Sequence, residues 1–206
     1  MKNRISVARN LALSLMLIAG TAAAQPTVKS LLEMRRENVV MQEWDLSCGA
    51  AALTTLLKYQ HGEQITEKEV ATGLMNREEY IKDPTLVRRR EGFSLADLKR
   101  NADGRGYQGV GYGRLHLKDL VAKAPIIVPI MTRGYNHFVI FRGMRGNRVL
   151  LADSAWGNRT MLADEFMESW IDYPKLGRIG FVVQRRDGVA ETNLLIPQDH
   201  DYVMLR

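Results

Sequence analysis

Residues 42–59 have the sequence QEWDLSCGAAALTTLLKY, and this stretch decides how the rest of the chain is interpreted. The part from Cys48 to Tyr59 combines strong helix formers with leucines at helical spacing, which predicts a helix with an apolar stripe. Ser47 stands directly before it and is a residue type that caps helix N-termini. The sequence therefore predicts a helix whose first residue is the one cysteine of the chain.

Capping motifs predict two more helices in the N-terminal half. Each motif pairs a hydroxyl residue with an acid three positions later: Thr66 with Glu69 ahead of residues 70–75, and Ser94 with Asp97 ahead of residues 98–102. Gly104 can end the second helix. The charged stretch 76–92 between them predicts a loop or an irregular helix.

After Gly106 the pattern changes from helical to extended. Short runs rich in β-branched residues predict strands at 126–131, 137–144, 148–153 and 178–185. Residues 145–147, Arg-Gly-Asn, predict a hairpin turn, and a helix is expected at 162–170. This order predicts an α+β fold, in which N-terminal helices pack on a mostly antiparallel β-sheet and meet it along a cleft.

The N-terminus has the features of an export signal. Lys2, Arg4 and Arg9 precede an apolar run at 11–19 and the small residues Ala22-Ala23-Ala24, so residues 1–24 are predicted to be a signal peptide. The apolar run is short for a membrane span, although an uncleaved anchor is the alternative, and no later segment is predicted to span. We expect a periplasmic protein divided into a polar lead-in at 25–38 with order from about residue 39, a domain at 39–186 and a C-terminal tail at 187–206.

Charge and composition exclude several function classes. Loss of the signal's basic residues lowers the formal net charge from +6 to +3, which is ordinary for a globular domain. The basic clusters at 88–90 and 185–186 are short and lack interleaved aromatic residues, so nucleic-acid binding is not expected. The sequence predicts no metal site and no cofactor.

A single cysteine is unusual in an exported protein, where cysteines generally pair as disulfides. Cys48 is therefore a buried inert residue, an intermolecular linker or a reactive thiol. Its predicted position at a helix N-terminus favours negative charge on the sulfur, which is the nucleophilic form. Gly49 beside it lets a substrate backbone approach, and Gln42 can donate to an oxyanion together with the Cys48 backbone N–H.

His137 and Asp153 are candidate partners of Cys48. His137 opens a predicted strand, and Asp153 ends the next strand after a short hairpin, so both side chains can lie near one end of the sheet. An acid at that position can orient an imidazole. Taken singly, His137 can be a structural histidine, Asp153 a turn cap and Gln42 an exposed polar residue.

Taken together, these residues resemble the C39 peptidases, first known as proteases that trim bacteriocin leader peptides. The resemblance covers roughly residues 39–184 and rests on four motifs: Gln42-x5-Cys48-Gly49-Ala50-Ala51-Ala52-Leu53; Gly92-Phe93-Ser94-Leu95-x2-Leu98; His137-Phe138-Val139-Ile140; and Asp153-Ser154-Ala155-Trp156-Gly157 followed by Glu165-Phe166 and Trp170. The separation of His137 and Asp153 is also similar to that of the family.

The resemblance implies a papain-like fold and a thiol protease. It implies Cys48 as nucleophile, His137 as acid and base, Asp153 as the residue that orients His137, and Gln42 in the oxyanion hole; Trp156 is assigned to substrate binding. Ser154 departs from the proline common in the family, which is expected to alter loop stiffness more than chemistry.

The context differs from that of many relatives, which are domains of membrane exporters that cut after a double glycine. This chain looks more like stand-alone periplasmic C39-like proteins, some of which accompany secretion systems for functional amyloid fibres. We expect a secreted polypeptide substrate, cut in a flexible Gly/Ala-rich segment, and a place in a secretion system. Two alternatives stay open: a C39-like module that only binds substrate, and an acyl-transferring, isopeptide-forming enzyme with the same triad.

Overall fold

A computed structural model describes residues 29–189 and 193–205, without the side chain of Met204. The signal predicted for residues 1–24 lies outside the described residues. The helices are α1 (Leu31–Arg36), α2 (Cys48–Thr55), which continues as a π-helix (Leu56–Gln60), α3 (Glu67–Met75), α4 (Glu78–Lys82), α5 (Leu86–Arg89), α6 (Leu95–Gly104), α7 (Leu117–Lys123), α8 (Ala163–Ser169) and α9 (Asp201–Met204). The strands are β1 (Tyr107–Tyr112), β2 (Ile126–Thr132), β3 (Tyr135–Arg145), β4 (Arg148–Asp153), β5 (Gly157–Leu162), β6 (Asp172–Tyr173), β7 (Gly177–Arg178) and β8 (Gly180–Arg185).

Six of these strands form one sheet in the order β1-β8-β2-β3-β4-β5, and every neighbouring pair in it is antiparallel. Strands β6 and β7 form a separate short hairpin. The β3–β4 connection is the predicted hairpin, with Gly146 at φ 55° in its turn. The predicted α+β fold with an antiparallel sheet is thus confirmed.

The sheet is packed on both faces, because alternate residues of each strand enter different cores. Ile140 of β3 belongs to a core with α2, α3 and α6, whereas Val139 and Phe141 belong to a core with α7 and α8. Strand β2 is buried over its first five residues, as expected for a strand covered on both sides. The predicted N-terminal helical layer therefore lies on one face, and two later helices cover the other.

Helix α2 is the central helix of the first core, and all of its residues are buried. It becomes a π-helix after Thr55, within the helix that the sequence predicts for residues 48–59. The hydroxyls of Thr54 and Thr55 donate to the carbonyls of Ala50 and Ala51, at 2.7 and 2.8 Å. Such bonds compete with the backbone ladder and bend helices, which accounts for the irregular second half.

The start of α2 differs from the prediction. Ser47 makes no capping bond; its hydroxyl oxygen instead lies 2.8 Å from the carbonyl oxygen of Trp44 and 2.6 Å from Glu67 Oε1, and these two acceptors share its one hydrogen. Glu67 also accepts from the backbone N–H of Glu43 at 2.9 Å. A tertiary contact from α3 therefore replaces the predicted local cap and fixes the loop that leads to Cys48. The Thr66–Glu69 and Ser94–Asp97 capping boxes are confirmed.

Two strands of the sheet are not predicted from the sequence. Strand β1 contains Gly109 and Gly111, and β5 is mostly polar, so neither has a strong β-strand pattern. Gly109 is required by packing, because a side chain there would place its Cβ 2.8 Å from the Phe181 ring and 3.0 Å from the Cα of Lys99. Both strands lie at edges of the sheet.

Chain segments outside the predicted domain are also structured. The predicted polar lead-in contains α1, with a capping box of Ser30 and Glu33, so order begins before residue 39. In the predicted tail, Leu195 is buried and its carbonyl accepts from the buried Arg142 Nε at 2.9 Å. The domain boundaries themselves stay a prediction.

Both edges of the sheet carry contacts from other segments. At β5, the N–H of Thr160 donates to the carbonyl of Leu205 at 2.7 Å. At β1, the N–H of Gly109 donates to Asp103 at 2.8 Å, and its carbonyl accepts from Lys99 Nζ at 2.8 Å. Across residues 29–189 and 193–205, no helix has the length and apolar character needed to cross a membrane.

Candidate active site

Cys48 is the first residue of α2 and lies in a cleft between the helical layer and the sheet. It is buried, with 7% of its surface exposed, and is not in a disulfide. The cleft has a volume of about 270 Å³ and is lined by Cys48, His137 and mainly apolar side chains, among them Phe93, Phe138 and Leu176. The structure thus brings the predicted nucleophile and the predicted base to one cavity.

His137 and Asp153 meet across β3 and β4. Asp153 pairs with Val139, so His137 lies two residues away on the same face of the sheet. His137 Nε2 and Asp153 Oδ1 are 2.8 Å apart, and both side chains are buried. Because Nε2 contacts the acid, Nδ1 is the ring nitrogen left for Cys48, with which His137 also forms a hydrogen bond.

Asp153 is held by two groups besides His137. Its Oδ1 accepts from the N–H of Ala155 at 2.9 Å, and its Oδ2 accepts from Arg159 Nε at 2.9 Å. Burial alone raises the pKa of this carboxyl, but the hydrogen bond from His137 and the charges of His137 and Arg159 outweigh it and lower the pKa. Asp153 is therefore an ionised acid in a fixed orientation.

These contacts set the protonation state of His137. Burial lowers the pKa of the imidazole, but the hydrogen bond to Asp153, the hydrogen bond to Cys48 and the charges of both residues raise it from 6.5 to about 9. His137 is consequently cationic at neutral pH. An imidazolium between a cysteine and a carboxylate can hold the proton that an acyl-transfer reaction later needs.

Gln42 lies beside the loop that follows Asp153. Its backbone N–H donates to the carbonyl of Ser154 at 2.9 Å, and its Oε1 accepts from the Ser154 hydroxyl at 3.0 Å. Its Nε2 donates to the carbonyl of Trp44 at 3.3 Å, which leaves one amide hydrogen for another acceptor. Ser154 therefore orients the Gln42 amide, a role beyond the loop stiffness expected from the sequence.

Two residues assigned to substrate binding lie outside this cleft. Gly49 is buried, and a Cβ there would lie 3.4 Å from Phe138 and 3.5 Å from Leu98, which are ordinary contact distances, so its role in substrate approach stays a prediction. Trp156 is 44% exposed and lines a separate cavity, where the Arg133 guanidinium stacks 4.6 Å from its ring centre.

Sequence reasoning missed several residues around the site. Arg159 lies on the unpredicted strand β5, and no local motif links it to Asp153. Asn136 Nδ2 donates to Glu91 Oε2 at 3.3 Å, which joins the start of β3 to the loop before α6 beside the cleft. Within the part of the chain that the structure describes, no cluster of three His, Cys, Asp or Glu side chains has a metal-binding arrangement.

Comparisons with known proteins identify the family. The Peptidase C39 family model matches residues 36–174, more than half of the chain. The chain is 35% identical over 154 residues to the "Probable functional amyloid protease FapD" of Pseudomonas aeruginosa and 34% identical over 151 residues to the protein of the same name from Pseudomonas fluorescens. These alignments cover 74% and 73% of this chain but 66% and 65% of the relatives, slightly under two thirds of their length.

Solved structures agree on the fold. A double glycine motif protease from an AMS/PCAT transporter, solved with its leader peptide, has a TM-score of 0.56 at 23% identity and covers 71% of this chain and 90% of its own. The peptidase domain of Streptococcus ComA has a TM-score of 0.56 at 14% identity, over 72% of this chain and 98% of its own. The papain-like fold of C39 peptidase domains is thus confirmed, and the chain belongs to the peptidase C39 family of cysteine peptidases.

Proposed function

We propose that this protein is an exported cysteine peptidase that cuts a flexible, Gly/Ala-rich segment of a secreted polypeptide. The single observation that carries the proposal is that Cys48 and His137 line one cleft and that the buried Asp153 supports His137, with His137 Nε2 2.8 Å from Asp153 Oδ1. Relatives named as functional amyloid proteases support a role beside a secretion system for such fibres.

In the proposed first step, the thiolate of Cys48, whose proton is held by the His137 imidazolium, attacks the carbonyl carbon of the scissile peptide bond. The C=O electron pair moves to oxygen, and this oxyanion accepts from the backbone N–H of Cys48 and from the free Nε2 hydrogen of Gln42. The N–H of a first helical residue has no partner within the helix, so it is free to donate.

The tetrahedral intermediate then collapses. The C–N bond breaks, and the leaving amine takes the proton of the His137 imidazolium, which leaves a thioester on Cys48. Water next attacks the thioester carbon and gives a proton to the neutral His137, and collapse releases the carboxylic acid and the Cys48 sulfur. Asp153, fixed by Ala155 and Arg159, keeps His137 in the orientation that both steps require.

The apolar cleft supports the substrate class. Phe93, Phe138 and Leu176 line the cleft beside Cys48, and we expect these large side chains to leave room for residues without bulky side chains next to the scissile bond. Glycine and alanine in an extended segment meet this requirement and let the carbonyl reach the sulfur. The export part of the proposal rests on the basic and apolar pattern of residues 1–24.

Two measurements test the proposal. Purified wild-type protein is expected to cut quenched peptides with a Gly-Gly junction, whereas Cys48→Ala and His137→Ala lose at least ~10³-fold in kcat/KM. His116→Ala alters a histidine outside the cleft and serves as the matched control for His137→Ala. Full activity of a folded Cys48→Ala variant would refute the nucleophile.

The second measurement addresses the substrate and its compartment. Mass spectrometry of new protein termini in exported fractions is compared between cells with wild-type protein and cells with Cys48→Ala. We expect a small set of termini after glycine or alanine that disappear in the variant. N-terminal sequencing of the protein itself should begin near Gln25, and retention of Met1 in the membrane fraction would contradict export with cleavage.

A further inference from the structure

A second cavity lies beyond Asp153, and its lining is basic where the lining of the cleft at Cys48 is mainly apolar. Its volume is about 330 Å³. We call it the basic cavity, and it is lined by Arg35, Thr132, Arg133, Trp156, Arg159 and Thr160. Three guanidinium groups and no acidic side chain therefore form its lining.

The positive charge of the basic cavity is only partly compensated. Arg159 forms an ion pair with Asp153, at 2.9 Å. Arg35 and Arg133 form no ion pair within residues 29–189 and 193–205, and Arg133 stacks on Trp156 instead. The Nε of Arg35 is buried and has no hydrogen-bond partner in that part of the chain. A buried donor without an acceptor costs about 1–3 kcal/mol, which an acceptor on a ligand would recover.

The backbone holds Arg35 close to β5. Asn158 donates to the carbonyls of Met34 and Glu37, at 3.2 and 2.6 Å, and so ties the end of α1 to β5. Gly157 permits this approach, since a Cβ there would lie 2.3 Å from the Arg35 carbonyl oxygen. The backbone that carries Arg35 is therefore held against β5 at the end of α1.

The basic cavity adjoins the proposed catalytic residues. Arg159 lines it and contacts Asp153, whose other oxygen contacts His137, and His137 lines the cleft. The His137–Asp153 pair therefore lies between the two cavities. A polypeptide that occupies the cleft and continues past this pair meets Trp156 and Arg133.

We propose that the basic cavity binds the carboxylate of an aspartate or glutamate in the polypeptide substrate, a few residues from the scissile bond. This inference rests on the proposed function and adds an acidic residue to the substrate class. A guanidinium presents two parallel N–H donors that match a carboxylate, and stacking on Trp156 fixes the orientation of the Arg133 guanidinium. Small uncharged residues at the cut and one acidic residue a few positions away would then define the recognised segment.

The experiment measures binding to the Cys48→Ala protein, so it does not depend on turnover. The probes are peptides of Gly, Ala and Ser with a central Gly-Gly junction and both ends capped. Each peptide carries a single Glu, and the series moves this Glu through every position on both sides of the junction. Each Glu peptide is compared with a control peptide that has Gln at the same position. Binding is followed by NMR, including the indole N–H signal of Trp156. The same peptides offered to wild-type protein test cleavage separately.

At one position, or at two neighbouring ones, we expect Glu to bind roughly fivefold to tenfold more tightly than Gln and to shift the Trp156 signal. Arg133→Gln and Arg35→Gln should each bring this ratio towards one. Lys118→Gln, which removes an exposed charge outside both cavities, should keep it. The preference should also weaken as salt is raised towards ~1 M.

The inference fails if no Glu peptide binds, if Glu and Gln bind equally at every position, or if the preference is unchanged in both arginine variants. These results are separate from failure of the proposed function, which appears as absence of cleavage of every peptide by the wild-type protein.

Discussion

The cationic state of His137 predicts how the stability of the fold depends on pH. Its pKa is raised from 6.5 to about 9 because Asp153 and Cys48 outweigh the effect of burial. A group with a raised folded-state pKa stabilises the protein fully below its unfolded pKa. That contribution is lost as the pH rises through the folded pKa. The free energy of unfolding should therefore fall as the pH rises from 6.5 to about 9, and His137 should not change it below pH 6.5.

The size of the effect follows from the two pKa values. Between pH 6.5 and about 9 the folded protein holds one more proton than the unfolded chain, so the free energy of unfolding falls by about 1.4 kcal/mol per pH unit. The total loss is about 3 kcal/mol. His137 is only 4% exposed, so solvent screens its contacts little.

Urea unfolding of wild-type protein and of His137→Gln, from roughly pH 6 to pH 10, measures this loss. Glutamine can still donate to Asp153 but has no titrating proton, so the difference between the two proteins isolates His137. A Cys48→Ala arm should show a smaller loss, since one source of the raised pKa is gone. Equal pH dependence of wild-type and His137→Gln proteins would refute the reasoning.

Three further outcomes are expected. First, kcat/KM should fall as the pH rises through about 9, because the leaving amine takes its proton from His137; a constant rate to pH ~10 would contradict this. Second, Ser154→Ala should lower kcat roughly threefold to tenfold with little change in KM, because it releases the Gln42 amide, and an unchanged kcat would remove Ser154 from the site. Third, Asp97→Ala should lower the free energy of unfolding by about 2–4 kcal/mol in urea titrations, because it leaves the buried Tyr80 hydroxyl without its 2.8 Å acceptor; a loss below ~1 kcal/mol would contradict this.

The sequence predicts the parts of the site that lie at the ends of strongly patterned elements. Cys48 begins a helix of alanines and leucines, and His137 and Asp153 lie on two strands joined by a short hairpin. The proximity of His137 and Asp153 follows from element type and connection alone. The same reasoning predicts that an N-terminal helical layer packs on the sheet, because the pattern changes from helical to extended after Gly106, but it does not predict that α7 and α8 cover the other face.

The remaining features depend on contacts between distant segments, which local patterns do not report. Arg159 becomes a partner of Asp153 only because the polar strand β5 pairs with β4. The cap predicted at Ser47 is displaced by Glu67 of α3, a residue that burial gives a raised pKa despite its two hydrogen bonds. Arg35 belongs to a segment that the sequence presents as a lead-in, so the basic cavity has no local signature.

The side-chain and backbone contacts on the two edge strands have a consequence for a protein proposed to work beside amyloid-forming chains. An open edge strand offers a row of unpaired N–H and C=O groups on which another extended chain can template. Here the outward N–H of Thr160 on β5 donates to the carbonyl of Leu205. On β1, the outward N–H of Gly109 donates to Asp103, and its outward carbonyl accepts from Lys99. Glycines in β1 weaken it further as a template. At these two positions, the backbone groups that an extended chain would need for edge pairing are therefore already bonded within the protein itself.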